Sequence, residues 1–457
     1  MSAISHTWGE LLRKALALAV LLGLVVGARH FAGPVAGAAG AVLGLGLLLL
    51  AGDVAAELVE RVGLPHLSGY LIAGLLVGPH VLNAVPETAV GALKPVNTLA
   101  LALIALSAGA ELTWGLLSRG ARSLICSIGA QLLIVPISCM AVMLALRPWV
   151  PFLAERAWPA AFGITLLWGA VSISRSPSVT LGVISQLRPD GPLTRWTLSV
   201  VVALDLVVLV LFALARNVCS VLTEPGAMFS LAALREVGIG LVGSFACGTT
   251  LGLLVAFYLR VVGRELLLFL VVLAYGASEF TAYFHFEAML LFLTAGFVVA
   301  NVTTQGERLL DAVAAGGRVV YVVFFALAGA HLDLSLLARL WPVALALAGT
   351  RFVTTVASAK LGSRWANDSA LIKRYGWLPL VSQAGVTIGM AVSIAAEYPE
   401  FGEKLASVLI AVVGLNEALG PVLFKYALDR AGETGKAEAR ARHHADEAPA
   451  LVETPAT

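Results

Sequence analysis

One carboxylate, Asp205, stands in Leu198–Ala213, a run that is otherwise almost wholly apolar. Counted as helix from Leu193, Asp205 is reached after roughly 18 Å of rise, near the middle of a hydrocarbon layer about 30 Å thick. A carboxylate at that depth costs roughly 3 kcal/mol or more unless it is protonated, paired or wetted. A segment serving only as an anchor would carry Leu or Val there. The chemistry such a group can do is reversible capture of a proton or a cation; the bland alternative is a buried structural hydrogen bond. Arg351 lies equally deep, in Leu345–Thr355. Arginine does not deprotonate at ordinary pH and needs acceptors, so Asp205, directly or through water, is its expected partner.

Two further clusters carry polar groups at membrane depth. Trp168–Thr180 holds Ser172, Ser174, Arg175 and Ser176 around Pro177. Proline has no N–H and disfavours helix at the residue before it, so an interruption is expected here. Ser382–Gly389 holds Ser382, Gln383, Gly385 and Gly389 without a proline, and it is expected to form a second interruption. Broken helices in matching positions of two halves point to a transporter site, because freed backbone groups are tolerated only where they line a cavity or bind something. The alternative is a pair of ordinary kinks. Asn416 and Glu417, before Gly420-Pro421, are placed to brace the second break. The remaining intramembrane acids, Asp53, Glu111, Glu279 and Glu287, read as structural or interfacial carboxylates. No metal cluster, phosphate loop or catalytic triad stands out, so neither a cofactor nor enzyme chemistry is expected.

The elements that must position these groups follow from composition. Of 457 residues, 59% are hydrophobic and 13% charged, against about 25% charged in soluble domains. The chain reads as an all-α polytopic membrane protein. Its net charge of +2 gives no footing for a nucleic-acid partner. The four cysteines lie mostly in apolar spans without metal or redox spacing. About fourteen apolar spans succeed one another between residues 12 and 428. Alternate loops hold thirteen Lys and Arg on one side and eight on the other, and the basic tail joins the richer set. The positive-inside rule then places both termini in the cytoplasm of a cell-membrane protein. Laying spans 2–7 on spans 9–14 brings the two interruptions together and sets Leu204-Asp205 near Asn416-Glu417, an inverted repeat. Residues 1–37 form an extra N-terminal helix, 38–430 the membrane domain, and 431–457 a charged tail expected to be disordered.

The residues taken together carry a resemblance. Leu64–His80, Ser107–Leu112, the Ser176-Pro177 break, Gly191–Thr194, Asp205, Phe324–Asp333, Arg351 and Gln383–Val386 occur in the order that resembles the monovalent cation:proton antiporters of the second cation/proton antiporter family, which includes Kef-type potassium efflux systems and bacterial sodium/proton exchangers. The resemblance implies two crossed broken helices in a core bundle (about 121–215 and 338–428) and a second bundle (about 38–114 and 264–332) that forms a homodimer. It implies that Asp205 binds a monovalent cation, Na⁺ or K⁺, and a proton in alternation, that Ser174, Ser176 and freed carbonyls assist, and that Arg351 faces the site. Two positions depart from the family pattern: Leu204 replaces a polar residue beside the aspartate, and Arg175 precedes the Ser-Pro pair. With one titrating carboxylate, exchange is expected to be electroneutral. Two alternatives stand beside antiport: a Kef-like gated channel, and a non-transporting sensor in which Arg175 occupies the place of the cation.

Overall fold

The computed structural model describes residues 13–14, 16–25, 27, 37–115, 120–223, 231–284, 286–331, 334–383 and 385–436. Among them every regular element is a helix. A chain this apolar must satisfy its backbone N–H and C=O groups internally, which a helix does within one segment. The principal helices are α1 (Gly37–Arg61), α2 (His66–Val77), α3 (Lys94–Glu111), α4 (Ala121–Ala145), α5 (Trp158–Ser172), α6 (Pro177–Leu187), α7 (Pro192–Thr223), α8 (Leu231–Val261), α9 (Leu266–Phe284), α10 (Ala288–Val302), α11 (Gly306–Ala330), α12 (Leu334–Ala366), α13 (Gly385–Glu397) and α14 (Gly402–Ala431). By length and composition, six helices among the described residues can cross a membrane: Ala39–Arg61, Ala121–Ala145, Pro192–Thr223, Gly238–Val261, Trp341–Ala366 and Gly402–Ala431. Shorter apolar helices, such as Leu16–Val25, His66–Val77 and Ala288–Val302, accompany them.

Prolines set several boundaries. Pro177 and Pro192 open α6 and α7, where the missing N–H costs nothing. Ser176 caps α6 by accepting from the Val179 amide at 3.1 Å. Arg188 ends α6 in the left-handed region at φ 41°.

Three bodies of apolar packing organise the helices. Met143, Leu167, Val208, Leu347, Ile394 and Leu409 join α4, α5, α7, α12, α13 and α14. Leu106, Val255, Leu270, Leu291 and Val313 join α3, α8, α9, α10 and α11, and Leu48, Val77 and Ala326 join α1, α2 and α11. A fourth cluster lies between these groups: Leu67, Tyr70, Ile104 and Phe325 from one side meet Val179, Ile184, Leu198 and Phe424 from the other.

In the second and third groups two helix pairs touch backbone to backbone reciprocally. Gly109 of α3 leaves no room for a β-carbon against the Leu293 carbonyl of α10, and Gly296 of α10 leaves none against the Leu106 carbonyl of α3. Gly74 and Gly329 do the same reciprocally between α2 and α11.

Lys14 pairs with Asp53 at 3.4 Å and with Glu57, which ties the N-terminal segment to α1 and gives Asp53 the structural role expected of it.

The chain after Arg430 departs from expectation. Gly432 ends α14 at φ 65°, and Glu433, only 2% exposed, turns back onto α7. Its Oε1 accepts from the Leu193 amide at 2.8 Å, and its Oε2 accepts from the Thr194 amide at 2.9 Å and the Thr194 hydroxyl at 2.6 Å. The Asp190 amide donates to the Glu433 carbonyl, and the Gly435 amide to the Leu187 carbonyl. A composition that reads as solvated tail is here recruited by the open amides of a helix start. Residues 437–457 of the expected tail lie outside the described residues.

Candidate functional site: two helix breaks and a carboxylate cavity

Both interruptions form. Helix α5 ends at Ser172, Ile173 closes its last turn, and Ser174-Arg175-Ser176 run unwound to Pro177. Ser176 is extended at φ −101°, ψ 102°, as a residue preceding proline must be. In the second break a short helix, Ala370–Tyr375, and one tight turn, Pro379–Val381, are followed by non-helical Ser382 and Gln383 before α13 begins at Gly385. The Ser382 hydroxyl turns back to the Pro379 carbonyl at 3.2 Å.

Arg351 joins the two breaks. Its Nε donates to the Ser172 carbonyl at 3.0 Å, Nη2 to the Ser174 carbonyl at 2.8 Å, and Nη1 to the Val381 carbonyl at 2.7 Å. The side chain is wholly buried. These carbonyls end half-helices and carry the negative end of the backbone dipole, so a fixed guanidinium is well matched to them. None of these bonds goes to Asp205, so among the described residues the direct form of the expected Arg351–Asp205 partnership is not formed. The expectation that freed carbonyls of the first break help to ligate a cation changes too. Ser172 and Ser174 give their carbonyls to Arg351, and Ser176 gives its own to the Thr180 hydroxyl at 2.9 Å.

Arg175, 1% exposed, turns toward α4 and α12. It donates to Gln131 Oε1 from Nε at 3.1 Å and from Nη2 at 2.7 Å, and to the Thr355 hydroxyl at 3.1 Å. Among the described residues no carboxylate accepts from either guanidinium. Asn416 and Gln383 complete the crossing: Asn416 Nδ2 donates to Gln383 Oε1 at 3.1 Å, and Gln383 Nε2 to the Val171 carbonyl at 3.3 Å. Asn416 is thus tied to the second break through Gln383. Ser382 packs on Gly420, where a β-carbon would stand 2.6 Å from that of Ser382. Glu417 is wholly buried, and neither of its oxygens has a hydrogen-bond partner among the described residues.

Asp205 lies on the other face of the first break. It lines a cavity of about 20 Å³ with Pro177, Leu206, Leu209, Glu287 and Met289. That is room for one water-sized guest. The residue is partly exposed, while its Oδ1 is sealed and without a hydrogen-bond partner. Beside the cavity is a vestibule of about 560 Å³ that shares Pro177, Leu209, Glu287 and Met289 with it and adds Ser176, Arg216 and Ser393. Arg216 pairs with Glu397 at 2.7 Å there. Ser174 lines neither space; its hydroxyl is buried and unpartnered, so the two serines named as ligands part company. Leu204 is buried in the packing of α5 and α7.

The model of the transmembrane region of sodium/hydrogen exchangers matches residues 45–425. This chain belongs to that family. Exchangers are transporters, not enzymes, and the chain is an integral multi-pass membrane protein. In fold the exchanger is similar to the sodium proton antiporter MjNhaP1 from Methanocaldococcus jannaschii. One structure of that protein, at pH 8, aligns with TM-score 0.60 at 18% identity, covering 85% of this chain and 95% of that one. Another, from electron microscopy, aligns with TM-score 0.67 at 18% identity, covering 85% and 97%. No curated protein matches the chain.

Two residues of the exchanger escaped the sequence reading. Glu287, expected as a structural or interfacial carboxylate, lines the Asp205 cavity. It holds the N-cap position of α10, and its amide donates to the Ser244 hydroxyl of α8 at 2.8 Å. The available signal was an acid directly before a largely apolar helix. Glu433 fell in the supposed tail; its signal was the Gly432-Glu433 pair after the last helix.

Proposed function

We propose that this exchanger trades a monovalent cation, Na⁺ or K⁺, for a proton, with Asp205 as the group that holds each in turn. The observation that carries the reading is the unpartnered Oδ1 of Asp205 beside a one-guest cavity, while both neighbouring arginines are committed elsewhere. An ionised Asp205 attracts a desolvating cation; a protonated one is a neutral side chain that a mostly apolar seam accepts. Ser176, at the vestibule, supplies a hydroxyl oxygen on the approach. Arg351 acts at a distance: it holds the breaks in register and neutralises their carbonyl ends.

In this proposal α4–α7 and α12–α14 move as a core bundle against the helices of the second group, exposing Asp205 to each side alternately. The protein is a homodimer of fourteen-span subunits with inverted repeats, and both termini face the cytoplasm of the cell membrane. The vestibule lies toward the Thr223 end of α7, opposite the Pro192 end, so it faces outward in this topology. The bonds of Arg175 to Gln131 and Thr355 weigh against the reading in which it substitutes for the cation at Asp205.

The test is proton flux in proteoliposomes under imposed Na⁺ or K⁺ gradients. Wild type should show cation-coupled flux that saturates, and Asp205→Asn should match empty liposomes while remaining folded. Full exchange by a folded Asp205→Asn protein would remove the aspartate from its role. Unsaturable flux in wild type would favour the channel.

A further inference from the structure

Asp205 and Glu287 face one small cavity from two different helix groups. Asp205 rides on α7, which is packed with the broken helices. Glu287 holds the N-cap position of α10, whose residues Met289, Leu291 and Phe292 are packed with α3, α8 and α9. Both carboxylates line that one space of about 20 Å³. Like charges that share so small a cavity are disfavoured unless a cation or a proton comes between them. Glu287 stands at the start of α10, where the helix dipole presents its positive end. Glu287 also lines the 560 Å³ vestibule, so an ion approaching Asp205 from there passes it.

Building on the reading of Asp205 as carrier, we propose that Glu287 is a second, stationary ligand of the transported monovalent cation. It binds the ion jointly with Asp205 while α7 faces the vestibule, and it remains with α10 when Asp205 leaves. The reciprocal glycine contacts between α3 and α10 make α10 part of the fixed group. The site then has two carboxylates on the vestibule side and one on the other. Cation affinity is therefore unequal at the two faces, although a single carboxylate makes the crossing.

The experiment uses full-length protein and two readouts. In detergent, stabilisation by NaCl or KCl over choline chloride at equal ionic strength reports cation binding without transport. Glu287→Gln should raise the half-stabilising concentration by roughly tenfold or more, as expected for loss of one charged ligand, and Glu287→Asp should fall between it and wild type. In right-side-out and everted vesicles, Glu287→Gln should raise the cation KM at the vestibule face and leave the opposite face unchanged. Unchanged stabilisation in Glu287→Gln, no cation stabilisation of wild type, or an equal KM shift at both faces would each overturn the proposal. Loss of coupled flux in wild type would instead strike the antiport reading, and the stabilisation series would still decide whether Glu287 binds the ion.

Discussion

The Arg351 guanidinium and the Val381 carbonyl lie 2.7 Å apart, and this bond fastens the second helix break to the helix that also grips the first. Arg351 is thus an internal clamp rather than a counter-ion for Asp205. Arg351→Ala leaves three buried carbonyls without their donor. The expected loss is about 3–5 kcal/mol of stability. Arg351→Lys keeps the charge but not the fork, and should lose less. Thermal unfolding in detergent checks both, and an unchanged melting temperature for Arg351→Ala would refute the clamp.

Exchange should be electroneutral. Leu204 is buried in apolar packing, so α7 carries one carboxylate at the site. If Glu287 stays with α10, one negative charge crosses with the cation and is neutralised on return with the proton. A valinomycin-set potential imposed on proteoliposomes should leave the rate and end point of cation-driven proton flux unchanged. Strong dependence on the potential would mean that a second acid, Glu287 or the wholly buried Glu417, travels with the ion.

Glu433→Ala should destabilise the start of α7 by about 1–2 kcal/mol, the usual worth of a good helix cap. Hydrogen exchange at the Leu193 and Thr194 amides should accelerate, because both donate to this carboxylate. Unchanged exchange at those amides would show that the latch does not hold in solution.

Asp368 gives a pH test outside the membrane spans. Burial pushes its carboxyl above the usual value, against the Ser123 hydrogen bond at 2.9 Å and the charge of Lys373, which pull it down. A raised acid binds its proton more tightly folded than unfolded. Stability is therefore penalised as pH rises from the ordinary carboxylate range through the folded value, and the penalty persists above it. Asp368→Asn removes the titration. It should melt higher than wild type near neutral pH, and the gap should shrink as pH falls into the carboxylate range. A gap that widens on acidification would reverse the sign argued here.

Much of this arrangement was legible in the sequence because single residues announce it. Pro177 dictates the first break, and an aspartate amid thirty Å of hydrocarbon has few uses. The partners of Arg351 were not legible, since backbone carbonyls leave no mark on a sequence until a helix opens beside them. The place of Glu287 beside the Asp205 cavity was not legible, because it depends on how α10 meets α7, and hydropathy carries no information about that seam. Glu433 was missed because Ala, Glu and Arg after a last span describe a solvated tail equally well.

The reciprocal glycines have a mechanical consequence. Where α3 meets α10, and α2 meets α11, main chain lies on main chain with no layer of side chains to rearrange. Sliding there drives a carbonyl into an α-carbon, so each pair resists shear. The contact of Leu67 and Phe325 with Val179 and Ile184 is of another kind: flexible side chains can exchange rotamers and settle one notch along. Compliance is therefore concentrated in one interface, and a glycine-to-alanine change outside it would spread the frame without touching any group that meets the ion.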